Sequence, residues 1–212
     1  FEHLHAILAE PPGFASDRLT IRYRVAQYGE VRAARDLGET PAVLSANAVV
    51  VDPDEAVLLV HRRAESSDTY PGCLHTFGGS FVAPDSPTDP EADTDLRSTI
   101  VRELHEEIGT EVDEDSLDTC GYLVASEPPT GFVQFVYLGA TLDSTKCNSN
   151  WEGEVLPVDF SDLEDVLLDD TWVPTGQAHV LAWLALGAPN VRQERLGRRS
   201  AELLFERITK EL

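Results

Sequence analysis

Three glutamates, Glu103, Glu106 and Glu107, fall within one short stretch, RELHEEIG at residues 102–109. Side chains three and four apart on a helix meet, so these carboxylates repel one another by up to a few tenths of a kcal/mol per pair unless a positive charge lies between them. Carboxylate oxygens gathered this way make a hard donor set that Mg²⁺ or Mn²⁺ takes, usually keeping several waters and bridging to phosphate oxygens. The spacing alone is also that of a solvated helix face. What separates the two readings is order: a Gly-Gly pair in HTFGGSF at 75–81, a polar loop, then Arg102 directly before the first glutamate.

These residues need elements to hold them. The hydrophobic and polar pattern predicts a helix over about 95–108, with Val101, Leu104 and Ile108 on one face, the three glutamates on the opposite face, and Gly109 closing it. The stretch before it, VAPDSPTDPEADTD, is rich in Pro, Asp, Ser and Thr and reads as an exposed loop. Upstream, VLSANAVVVD and EAVLLVHRR read as a pair of strands. TCGYLVAS, GFVQFVYLGATL and EVLPVDF read as further strands, and DLEDVLL, GQAHVLAWLALG and RRSAELLFERITKEL as helices. Strands with interspersed helices predict an α+β or α/β sandwich, a helix layer on each side of a mixed sheet. RLTIRYRVA at 18–26 reads as a half-buried strand and EVRAARDLGE at 30–39 as a short helix closed by Gly38, so residues 1–40 form an N-terminal extension to a domain at 41–212.

The order of these motifs resembles the Nudix box: a glycine, five residues, a glutamate, seven residues, then Arg-Glu-apolar-x-Glu-Glu-x-Gly-apolar. The second half is matched by Arg102, Glu103, Leu104, Glu106, Glu107 and Gly109. The first half departs from it. Thr94 stands where the family has glutamate, Gly79 lies about nine residues too far upstream because the loop holds an insertion, and Thr110 takes the final apolar position. The glutamate's role of holding the arginine then passes to Glu91, Asp93 or Asp95, or is lost. The resemblance covers about residues 44–187.

The resemblance implies a Nudix-type α/β/α sandwich and Mg²⁺- or Mn²⁺-dependent hydrolysis, at an acid anhydride bond, of a nucleoside diphosphate linked to another moiety such as a sugar or ribose. It implies Glu103, Glu106, Glu107 and the Gly79 carbonyl as metal ligands, with Arg102 orienting the carboxylates. Glu103 and Glu154 are the candidates for the general base, ahead of Glu152 and Glu127. Arg62 and Arg63, ending a strand toward the expected cleft, are candidate phosphate contacts, since guanidinium forks match phosphate oxygens; the alternative is surface counter-charge. Trp151, Trp172 and Phe132 are candidates for stacking on a base or for core packing. Two other functions share the fold: a ligand-binding module that does not cleave, which the altered half of the box favours, and a prenyl-diphosphate isomerase with Cys73 as its thiol.

Composition narrows the remaining classes. With 42% hydrophobic residues among 212, the chain can bury a substantial core. Its 38 acidic against 16 basic residues give a net charge of −22, a surface that repels nucleic acid and anionic lipid. The excess is spread along the chain, as in proteins of a salty cytosol. Neither a run of roughly 20 apolar residues nor a signal-peptide pattern is present, which predicts a cytoplasmic protein with no membrane partner. Cys73, Cys120 and Cys147 lack CxxC spacing and read as buried thiols. His61, His75 and His105 share no metal-binding spacing. No GxxxxGK[ST] run marks a P-loop. The N-terminal extension is expected either to cap the substrate cleft or to build a homodimer interface.

Overall fold

The computed structural model describes residues 4–9, 13–15, 18–86, 89–119, 121–127 and 131–212, with the backbone alone described at 13–15, 18–19, 114, 118–119 and 121–127. In chain order its elements are β1 (Leu4–Leu8), β2 (Gly13–Ala15), β3 (Arg18–Thr20), β4 (Tyr23–Gln27), α1 (Tyr28–Asp36), β5 (Val43–Asp52), β6 (Val57–Arg63), β7 (Leu74–His75) and β8 (Phe77–Ser80). There follow α2 (Leu96–Ile108), α3 (Glu114–Thr119), β9 (Gly121–Glu127), β10 (Phe132–Thr141), β11 (Gly153–Asp159), α4 (Leu163–Leu167), α5 (Pro174–Ala185) and α6 (Arg198–Glu211).

The sheet grows outward from β5, whose ten residues are all buried, as a near-continuous apolar run in a central strand requires. On one edge β10 runs parallel to it and carries antiparallel β9. On the other edge the partner changes along the strand. β6 pairs with Val50–Asp52, β8 pairs with Ser45–Ala48, and β1 meets it at Val43. β11 continues the sheet beyond β6 and β4 beyond β1, giving nine strands among the described residues. The sheet is therefore mixed.

Each face of the sheet is covered. Val49, Val51, Leu58, Val60, Val136 and Leu138 pack beneath α4, α5 and α6, around the fully buried Trp183. Ala46, Ala48, Val50 and Leu59 pack against Ile100, Leu104 and Ile108 of α2 and Leu117 of α3. This is the expected sandwich, with its N-terminal strands and helix.

Some local expectations need correcting. RLTIRYRVA is not one strand: it breaks after Thr20, β3 pairing with β2 in a separate ribbon while β4 pairs with β1. β1, from LHAIL, α3 and the short strands inside TYPGCLHTFGGSF are elements that the sequence pattern does not predict. Cys73 and Cys147 are partly exposed rather than buried, and Cys120 lies outside the described residues. Among the described residues no helix is long and apolar enough to cross a membrane.

Candidate active site

Helix α2 begins at Asp95, whose carboxylate accepts the Ser98 N–H at 2.8 Å while the Ser98 hydroxyl accepts the Asp95 N–H, a reciprocal cap. It ends on Gly109, where φ of 70° lies in the left-handed region that glycine enters without penalty. Between these stops Ile100, Leu104, Glu107 and Ile108 form the buried stripe, with His105 and Glu106 exposed. The three glutamates therefore do not share one outward face. Positions 100, 104, 107 and 108 line up at 3.6 residues per turn, which turns Glu107 toward the sheet. Val101 is only partly buried.

Glu107 is tolerated there because both of its oxygens are engaged. Oε2 accepts the Gly78 N–H at 2.9 Å, and Oε1 lies 3.2 Å from His61 Nδ1. The His61 ring stacks on Phe77, with centroids 5.5 Å apart. The two glycines of β8 are needed for separate reasons. Gly78, at φ 134°, would drive a Cβ to 2.2 Å from the Ala46 carbonyl oxygen, and a Cβ on Gly79 would stand 2.3 Å from Glu103 Oε1. Any side chain at 79 would push Glu103 away.

Arg102 ties the cluster together. Its Nε and Nη2 each donate to an Asp93 oxygen at 3.0 Å, Nη2 also donates to the Ser80 carbonyl at 2.9 Å, and Nη1 reaches Glu103 at 2.8 Å and Glu106 at 3.2 Å. Asp93, 7% exposed, also accepts the Val82 N–H at 2.8 Å. Of the three acidic residues weighed as substitutes for the glutamate missing at Thr94, Asp93 grips the arginine and Asp95 caps the helix. Burial works against the Arg102 charge, but Asp93 and Glu103 outweigh it and raise its pKa. Burial pushes the Glu103 carboxyl up to about 8, with Arg102 opposing and Glu107 and Glu106 reinforcing the rise. One guanidinium does not neutralise the cluster.

A fourth carboxylate comes from the loop before β11. Asn150 Nδ2 donates to the carbonyls of Glu106 and Glu107 at 2.6 and 2.9 Å, and the Asn148 N–H reaches the Ile108 carbonyl at 3.0 Å, so the loop is bound to the last turn of α2. This brings Glu152 to the same cavity, where burial, then Glu107 and Glu106, raise its pKa. Glu154, two residues on, does not line the cavity; it is half-exposed and lies 3.4 Å from Arg62. Glu127 is described by backbone only, paired with Phe132.

The cavity, about 490 Å³, opens where β6 and β8 part along β5. It has the volume of a small-ligand site. His61 and Arg63 line one side, Gly78 and Gly79 the other, with Asn47 and Gln134 contributed by the central strands. The two arginines singled out from sequence are otherwise engaged. Arg62 lies outside the cavity against Glu154, and Arg63 spends Nε and Nη2 on the backbone and hydroxyl oxygens of Thr69. An unanticipated arginine, Arg35 of α1, lines the cavity with its guanidinium 5.0 Å from the centre of the Phe132 ring. Trp151 stands at the cavity 82% exposed, whereas Trp172 is core, its indole donating to the Val166 carbonyl at 2.7 Å. Cys73 is not a lining residue.

The donor types suit a hard divalent cation: carboxylates beside glycine backbone, with Glu103 held from ionising by burial and, after it, by the charges of Glu107 and Glu106. In the arrangement described, Glu103 and Glu106 turn to Arg102 and Glu107 to Gly78. Among the described residues, no three His, Cys, Asp or Glu side chains are gathered as a metal cage.

The sandwich and the helix-borne glutamates facing paired glycines define the class. The NUDIX domain family model matches residues 41–184, and the chain belongs to that family. Among solved structures, it is similar to a bifunctional NMN adenylyltransferase/ADP ribose pyrophosphatase from Francisella tularensis, with 14% identity and a TM-score of 0.53 over 76% of this chain and 46% of that one. It is also similar to the MutT protein from Methanosarcina mazei Go1 (20% identity, TM-score 0.46, 79% of this chain and 93% of that one). A NUDIX hydrolase from Nitrosomonas europaea gives 14% identity and a TM-score of 0.49 over 85% and 88% of the two chains. No curated protein matches the chain.

Proposed function

We propose that the chain is a Mg²⁺- or Mn²⁺-dependent hydrolase that cleaves the pyrophosphate bond of a nucleoside diphosphate linked to another moiety. The observation that carries this reading is that Glu107, Glu152, Gly78 and Gly79 line one ligand-sized cavity, with Glu103 packed against Gly79 behind it. Glu103, Glu106, Glu107 and the Gly79 carbonyl would hold the cation, which when bound neutralises diphosphate charge and makes water more acidic. Arg102, anchored by Asp93, keeps Glu103 and Glu106 at one place on the helix. Glu152, which lines the cavity, takes the proton from the attacking water in preference to Glu154, which does not. The first forty residues serve this domain by adding Tyr28 and Arg35 of α1 to the cavity wall.

The test is a chromatographic screen for mononucleotide product over nucleotide sugars, ADP-ribose, dinucleoside polyphosphates and nucleoside triphosphates, with Mg²⁺ and with Mn²⁺. Turnover of a diphosphate-linked compound that needs the metal is expected; no turnover of any compound with either metal returns the chain to a binding role. On the best substrate, Glu152→Gln should lower kcat by about a hundred- to ten-thousandfold, the range for lost general-base help, with Glu154→Gln nearly silent. Equal losses in the two variants would remove Glu152 from the role.

A further inference from the structure

Arg35 is half-buried on α1, yet its Nε and Nη2 are fully buried and, among the described residues, have no hydrogen-bond partner. These two N–H groups point the same way within the guanidinium plane and form the fork that matches two oxygens of a carboxylate or phosphate. The guanidinium rests over Phe132, and both residues line the cavity. A buried charge whose donors have no acceptor is costly, and an acceptor that is itself charged offsets both the lost hydrogen bonds and the uncompensated charge. The fork also lies well away from the glutamates. Gly79 is in register with Ala46 of β5 and Phe132 with Val43, three residues along the strand, roughly 10 Å at about 3.3 Å per residue. A diphosphate held at Gly79 is too short to reach it.

We infer that Arg35 is a specificity-determining residue that binds an oxyanion, a phosphate ester or a carboxylate, on the moiety joined to the diphosphate. The inference rests on the hydrolase reading for the placement of the diphosphate, but its central observation, a buried and unpaired fork on a residue that lines the cavity, is independent of turnover. The substrate it describes carries a second anionic group beyond the scissile bond. That preference runs against the net charge of −22 and needs a dedicated cation.

The test uses matched pairs: coenzyme A with its 3′-dephospho form for a phosphate ester, and UDP-glucuronate with UDP-glucose for a carboxylate. Affinity is measured by calorimetry in chelator, and kcat/KM with Mg²⁺, for wild type, Arg35→Gln, Arg35→Lys and an Arg32→Gln control on the exposed side of the same helix. Wild type should prefer the anion-bearing member of one pair by about ten- to a hundredfold, the range of a charge-assisted hydrogen bond. The preferred pair identifies the anion. Arg35→Gln should abolish the preference, its loss of affinity falling chiefly on the member that carries the second anion, Arg35→Lys should keep part of the preference, and Arg32→Gln all of it. Equal ratios in wild type and Arg35→Gln, or no preference in either pair, overturn the inference. A binding preference that depends on Arg35, with no turnover of any compound, upholds it and overturns the hydrolase reading instead.

Discussion

Glu107 differs from its two neighbours in what surrounds it. Glu106 is half-exposed and meets Arg102, Glu103 is mostly buried and meets the same arginine, and Glu107 is buried against a backbone N–H and an imidazole. If the three share a divalent cation, Glu106→Gln and Glu107→Gln should each lower Mg²⁺ affinity in calorimetric titration while the circular dichroism spectrum stays unchanged. Glu164, paired with Arg207, is the control whose Gln variant should bind as wild type. Unchanged affinity in both site variants would leave the cluster as a structural network around Arg102, His61 and the Gly78 N–H. That the glutamates share one helix follows from residue type and spacing, but the inward turn of Glu107 does not, because a carboxylate in a helix pattern reads as solvent-facing until its partners on β6 and β8 are known.

At the scale of elements, α2 and the loop before it act as one unit. The loop leaves β8, carries the insertion, and returns so that Asp93 lies beneath Arg102 and Asp95 caps the helix. Chain spacing counted back from Arg102 therefore fails to find the anchor, while the side-chain geometry supplies it. Asp93→Ala would leave a largely buried guanidinium with its bidentate partner gone. Discounted for the 25% exposure of Arg102, the expected loss is about 2–3 kcal/mol, read as a lower denaturant midpoint at unchanged slope. Asp95→Ala should cost about 1 kcal/mol, the value of a helix cap. A loss at Asp93 no larger than at Asp95 would reduce the pair to surface electrostatics.

Across the whole molecule, two buried histidines join the sheet to the helix layer. His179 of α5 shares a 2.9 Å hydrogen bond with the Thr76 hydroxyl, and its ring meets His75 edge-on at 5.9 Å. Burial pulls His75 down to about 4, with the Thr76 carbonyl opposing, and His179 down to about 3, with His75 reinforcing. Both folded values lie below the unfolded 6.5, so the unfolded chain takes up protons first as pH falls. The stability is complete above pH 6.5 and is lost on acidification toward pH 4, at up to about 1.4 kcal/mol per pH unit for each histidine. Glu103 acts in the opposite sense, since its raised value favours folding at low pH. Denaturant midpoints from pH 7 to pH 4.5 in a Glu103→Gln background should therefore fall, and His179→Leu should flatten the slope. A flat profile in the Glu103→Gln protein would show that these histidines find solvent.

RELHEEIG was legible in the sequence as a helix stopped by Gly109 because apolar spacing and a left-handed stop are local features, and at 78 and 79 glycine alone permits the close approaches. The sandwich was legible too, since apolar runs and helical stripes are local consequences of what each element buries. Which arginines line the cavity was legible only in part. Arg63, at the end of a strand aimed at the cleft, does line it while bonded to Thr69, Arg62 lies outside against Glu154, and Arg35 enters from a helix almost seventy residues before the glutamates. Glu152 rather than Glu154 reaches the cavity because Asn150 binds its loop to α2. Such contacts join residues far apart in the chain, and only the tertiary structure decides them.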